Sequence, residues 1–193
     1  MRSFVPAILI LFALVVPATA QNAPPERAQA RYPAGWVAGT PFHEGNITVV
    51  RLLPPGQSDK DFVEAILIER YEAERRPAKE HVLSRAEATR RSCDGVLVSQ
   101  VNESQINGYA AAQIRFTCTR SQRNGKSGAM MVIAIEGRDA LHVISRFWVG
   151  QGVAANQLVP VPQQTIAEWD AFAQTVTVCD TRDSKHPCPM VAH

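Results

Sequence analysis

The stretch from Gly95 to Gly150 constrains the fold more than any other part of the chain. In GVLVSQVNESQINGYAAAQIRFTCTR and GAMMVIAIEGRDALHVISRFWVG, β-branched and aromatic residues come in short runs separated by turn signals at Asn107-Gly108 and Gly137-Arg138-Asp139. Runs of that kind between such turns form an antiparallel meander. From Met130 to Trp148 both faces of the strands are apolar. Met131, Ile133, Ile135, Ile144 and Trp148 fall on one face, and Met130, Val132, Val143 and Phe147 on the other. Strands apolar on both sides need cover on both, so the sequence predicts an α+β domain in which helices cover an antiparallel meander.

The spacing of apolar residues supplies the candidate helices. Phe62, Ile66 and Tyr71, with Val63 and Leu67 beside them, follow the capping residues Ser58 and Asp59, and charges of alternating sign continue to Arg76. This predicts a helix that ends or kinks at Pro77. A second helical piece runs from about Lys79, or from Ser84 if Ser84-x-x-Glu87 is a capping box, to Ser92. A third begins at Thr165-x-x-Glu168 and places Ile166, Trp169, Phe172, Ala173 and Val176 on one side. Ahead of them, Asn46 to Leu53 reads as the first strand, closed by Pro54-Pro55-Gly56.

These elements divide the chain into a signal peptide over 1–20, a flexible leader over 21–34, one α+β domain over 35–179 and a tail over 180–193. The leader carries Pro24-Pro25 and no period. Trp36-Val37 reads as the first core contact.

The opening MRSFVPAILILFALVVPATA has a basic start at Arg2, an apolar run from Phe4 to Val16 and a small-x-small end at Ala18-Thr19-Ala20. That pattern is a secretory signal. The apolar run falls short of the roughly 20 residues that span a bilayer as a helix, and no later segment is apolar for long enough. Cleavage takes the 20 Lys and Arg to 19 against 18 Asp and Glu, a net charge of about +1. Nucleic-acid binders need a dominant positive field, so none is expected as partner. Sixteen of the basic residues are arginine, a composition that points to a GC-rich bacterial genome and a periplasmic or secreted protein.

Cys93, Cys118, Cys179 and Cys188 all lie in the exported part, where an even count favours disulfides. Three pairings are open. If the strand Val96–Val101 pairs with Ala110–Arg115 around a loop centred between Gln105 and Ile106, Cys93 lies opposite Cys118. A tight Asn107-Gly108 hairpin would instead place Cys118 opposite Leu97, too far from Cys93 for an undistorted bridge. The preferred pairing is therefore Cys93 with Cys118 and Cys179 with Cys188. Leu97, Ser99 and Val101 are expected to share a face with Ile114, Phe116 and Cys118.

The order of a strand, a helical segment, an antiparallel meander and a closing helix with a Trp-x-x-Phe face resembles the PsbP/Mog1-type α/β/α sandwich over about Ile47 to Cys179. The resemblance implies a binding module with an adaptor, chaperone or accessory role. It assigns no functional residue.

No motif demands a particular chemistry. There is no Gly-x-Ser-x-Gly elbow, no Ser-x-x-Lys and no Gly-rich phosphate loop after a strand, so no catalytic residue and no cofactor is assigned. His81 with Ser84 reads as two polar residues on a solvated helix face, and His142 as a half-buried histidine with a partner. The tail spacing Cys-x6-His-x-Cys-x4-His, ending at His193, fits a disulfide with two incidental histidines better than zinc, and no metal is assigned. Arg120, Arg123 and Lys126 concentrate positive charge on one turn. They are the candidate partner-binding residues, facing an acidic protein surface, anionic head groups or a carboxylated ligand.

The sequence thus favours an exported, non-catalytic module that binds another protein. The alternatives are an immunity protein against a periplasmic toxin and a small-molecule or lipid carrier.

Overall fold

The computed structural model describes residues 24–188; the predicted signal peptide and residues 189–193, with His193, lie outside the described residues. Among the described residues, nine strands form one antiparallel sheet. Its centre is the predicted meander: β8 (Tyr109–Cys118), β9 (Lys126–Glu136) and β10 (Ala140–Gln151) pair in sequence. On the far side of β10 come β5 (Glu64–Glu72) and β4 (Ile47–Leu53), with β2 (Val37–Ala38) and β3 (Phe42–Glu44) both pairing with β4. The other edge is β6 (Val96–Val98) and β7 (Asn102–Ile106), both paired with β8.

Each face of the sheet carries a helix, as the two-sided hairpin requires. Helix α1 (Ala78–Arg90) lays Ala78, Val82 and Ala86 on Ile114, Phe116, Val132, Leu141 and Val143. On the opposite face, α2 (Gln163–Ala173) packs Trp169 and Phe172 over Met131, Ile133, Ile144 and Trp148. A separate two-stranded sheet, β1 (Glu26–Gln29) with β11 (Thr177–Asp180), closes the α2 side. No helix among the described residues is long and apolar enough to cross a membrane.

Four expectations are corrected. The segment 59–76 is not a helix: Glu64–Glu72 is the interior strand β5, between β4 and β10. Its period-two reading places Ile66 and Ile68 toward α2 and Tyr71 toward α1. Glu69, 6% exposed, is kept paired there by Arg85 of α1 at 3.2 Å. An apolar run this short fits a strand and a helix equally well, and the two flanking strands decide.

Second, residues 26–29 of the expected leader are ordered as β1, held through β11 and the wholly buried Glu26. Third, both helices start at proline, Pro77 and Pro162, with no side-chain cap, so neither capping box forms. Thr165 instead turns inward and donates to Glu64 at 3.3 Å.

Both predicted disulfides are present, but the register argument behind the first is corrected. Asn107-Gly108 does form the tight hairpin, with Ile106 opposite Tyr109. Between Val98 and Asn102 the pairing slips by one residue, so Val96 faces Cys118 and Val98 faces Phe116. A slip of one exchanges the faces. Val96 and Val98 therefore turn to the α1 core, and Leu97 is left 54% exposed. Cys93 bridges opposite Ser121, yet its Cα lies 5.6 Å from that of Cys118, within disulfide reach.

Candidate ligand-binding site

Helix α1 is shorter than the strands beneath it. Ala78, His81, Val82 and Ala86 are buried, but the last turn is polar through Thr89, Arg90, Arg91 and Ser92. Beyond Ala86 the sheet is only partly covered: Phe116 and Cys118 of β8 are buried, while Gly128 and Met130 of β9 and Phe147 and Val149 of β10 are half-buried. In register, Phe116 and Phe147 flank Met130, and Cys118 and Val149 flank Gly128. Residues directly opposite in antiparallel strands share a face, so these six form one apolar floor, hollowed where Gly128 has no side chain.

The floor belongs to a pocket of about 410 Å³ walled by Thr89, Ser92 and the Cys93–Cys118 bridge. That volume lies within the usual range for small-ligand sites.

The hairpin between β8 and β9 forms the rim. Ser121 N–H donates to the Lys126 carbonyl and Gly125 N–H to that of Ser121, so the turn is closed by its own backbone. It brings Arg123 and Lys126 to the pocket, while Arg120 lies outside the lining. Lys126 has an exposed partner, Asp61, at 3.8 Å. Among the described residues, no acidic side chain lines the cavity. Two of the three predicted binding residues are thus brought together, above an apolar surface whose sequence signal was the partly covered pair Met130 and Phe147.

Among the described residues, the histidines and the tail cysteines singled out in the sequence lie away from this pocket. Ser84 Oγ donates to the His81 carbonyl at 2.8 Å, and the His81 ring stacks edge-on to Tyr71 at 4.9 Å. His142 is buried, with Nε2 2.9 Å from Glu26 Oε1. His186 of the tail stacks on Tyr109 at 4.0 Å, and both tail cysteines are in the Cys179–Cys188 bridge. Among the described residues, no three His, Cys, Asp or Glu side chains gather as metal ligands.

Arg146, which nothing in its strand context signalled, is 1% exposed, bonds Glu64 at 3.0 Å and lies over Trp36, Trp169 and Phe172 at 5.4 to 6.0 Å. Burial lowers its pKa, with Glu64 and Glu168 opposing. It pins α2 to the sheet through cation–π contacts with Trp169 and Phe172 and a hydrogen bond to the Glu168 carbonyl, while its ion pair with Glu64 ties β10 to β5.

No protein family's profile matches the chain, and no curated protein matches it. Two solved structures are similar in outline. PA94 of Pseudomonas aeruginosa, a protein of unknown function, is 16% identical with a TM-score of 0.41, over 70% of this chain and 91% of that one. LpqN of Mycobacterium tuberculosis, involved in cell envelope biogenesis, is 16% identical with a TM-score of 0.43, over 79% of this chain and 83% of that one. Likeness of this degree assigns no function.

Proposed function

We propose that this protein is an exported, non-catalytic binding module of the bacterial envelope that carries a small ligand in the pocket at the end of α1. The observation that carries the reading is the concave apolar floor left partly uncovered beside Arg123 and Lys126. An export role is supported by the pairing of all four cysteines, a state that persists in oxidising compartments. A non-catalytic role is supported by the engagement of Ser84, His142 and Glu26 with structural partners. It keeps the binding-module character that the PsbP/Mog1-type resemblance implies.

The test is mass measurement, under non-denaturing conditions, of the protein purified from its own source. Bound small-molecule mass that is lost in Thr89→Phe, which fills the pocket from the helix side, is the expected result. A second reading is favoured by Arg120, exposed on the same hairpin but outside the pocket. A protein partner held there would be captured in stoichiometric amount and lost in Arg120→Glu/Arg123→Glu, with no small ligand retained. That outcome would replace the carrier by an adaptor.

A further inference from the structure

We infer that the ligand class of this pocket is a single-chain anionic amphiphile: an unbranched alkyl tail on the floor and a carboxylate or phosphate head at Arg123 and Lys126. This rests on the reading that the α1-end pocket is the binding site. The tail is assigned by the continuity of the floor. Phe116, Met130 and Phe147 form a row across three strands, and Val149, Gly128 and Cys118 form the next row, a stripe free of charged side chains. Methionine and an absent side chain suit a flexible chain better than a rigid ring system, since Met adapts its shape to what it meets.

The head is assigned by charge. Both ionic side chains of the lining are cationic. They are solvent-exposed donors at the mouth, placed so that an anion remains partly hydrated while the tail is buried. Two features oppose an anion: Asp61 beside Lys126, and the carbonyl end of α1, which carries Thr89 and Ser92 to the wall. Asp61 is almost fully exposed, so solvent screens it. The helix-end effect is small at a solvent-exposed site and is screened by salt. Arg123, with no carboxylate partner among the described residues, then decides the sign of the field at the mouth.

The experiment is calorimetric titration of the oxidised protein with hexanoate, octanoate and decanoate, with decyl phosphate, and with decan-1-ol as the uncharged tail, all below their aggregation concentrations. Each added methylene should tighten binding about threefold to fourfold. Decanoate or decyl phosphate should bind about tenfold more tightly than decanol, an advantage that shrinks with salt and disappears in Arg123→Ala/Lys126→Ala. Whichever head binds more tightly identifies a fatty acid or a lipid phosphate as the source. Thr89→Phe should abolish binding of every probe while the thermal unfolding midpoint stays within a few degrees of the parent.

Equal binding of decanol and decanoate, lost in Thr89→Phe, would overturn the anionic class and leave the carrier reading standing. Binding unaffected by both variants would place the ligand elsewhere and overturn both. Absence of binding by every probe, with a small molecule still retained from the native source, would overturn the amphiphile alone.

Discussion

His81 sits 3% exposed under α1 with neither ring nitrogen hydrogen-bonded. Burial first, and then the positive charges of Arg85 and Arg76, lower its pKa to about 4. In the unfolded chain the imidazole takes a proton below about pH 6.5. Between those values the unfolded state binds a proton that the folded state refuses, so acidification from 6.5 to 4 should cost about 3 kcal/mol of stability and no more below that. Urea unfolding at pH 7, 5.5 and 4 should show this slope in the parent and a flatter one in His81→Leu; an unchanged slope in the variant would count against the assignment. Glu26 acts in a lower window. Burial raises its pKa, but the hydrogen bond from His142 and the backbone N–H groups of Asp139 and Arg138 outweigh burial and leave it lowered. A depressed carboxylate stabilises above its unfolded value, about 4.3, and the contribution is lost as pH falls through the folded value. Glu26→Gln should cost about 2 to 4 kcal/mol at pH 7, because the buried N–H groups and His142 lose their charged acceptor, and should flatten the stability curve below pH 4.5. A cost under half a kcal/mol in the same unfolding assay would show that the amide replaces the carboxylate fully.

At the scale of elements, the Asn107-Gly108 turn carries more than its hairpin. Both residues have positive φ, 48° and 81°, as a two-residue turn of this kind needs. A Cβ on Gly108 would come 2.9 Å from His186 Cε1. Gly108→Ala should therefore destabilise by about 1 to 2 kcal/mol through left-handed strain and a displaced His186, seen as faster amide exchange at residues 186 and 188. Unchanged exchange there would mean that the ring yields without leaving Tyr109. The meander, both its apolar faces and the closing helix were legible because their signals are local: alternation, turn residues and a Trp-x-x-Phe spacing. β5 was not, since its strand character comes from β4 and β10 beside it and its charged residues mimic a solvated helix. The slip after Val98 was also silent. The basic hairpin was legible as charge, but the floor beneath it depends on where α1 stops. The polar turn Thr89-Arg90-Arg91-Ser92 records that stop only once the helix is placed on the sheet.

Across the whole molecule, the β9–β10 hairpin separates two tasks. At its turn, the first and last described strands take hold: Glu26 from β1 accepts the backbone N–H groups of residues 138–140, and Arg182, just after β11, bonds Asp139 and Asp180. Arg70 of β5 donates to the Glu26 carbonyl, and Thr181 N–H to that of Pro25, which binds the two strands to the sheet and to each other. The pocket lies at the opposite end, beside Lys126 and Val149, a strand length of roughly 30 Å away. The two disulfides should therefore have separable effects. Cys179→Ala/Cys188→Ala should lower stability by about 2 to 3 kcal/mol and raise amide exchange together in 26–29 and 177–186, while ligand affinity holds. Cys93→Ala/Cys118→Ala removes a pocket wall and the tie between the end of α1 and β8, so it should weaken ligand binding and leave exchange in β1 and β11 unchanged. Exchange measurements and titrations on the two double variants decide this. If opening the β1–β11 clamp also weakened the ligand, the sheet would be transmitting strain along its length, and the pocket could not be treated as a site independent of that clamp.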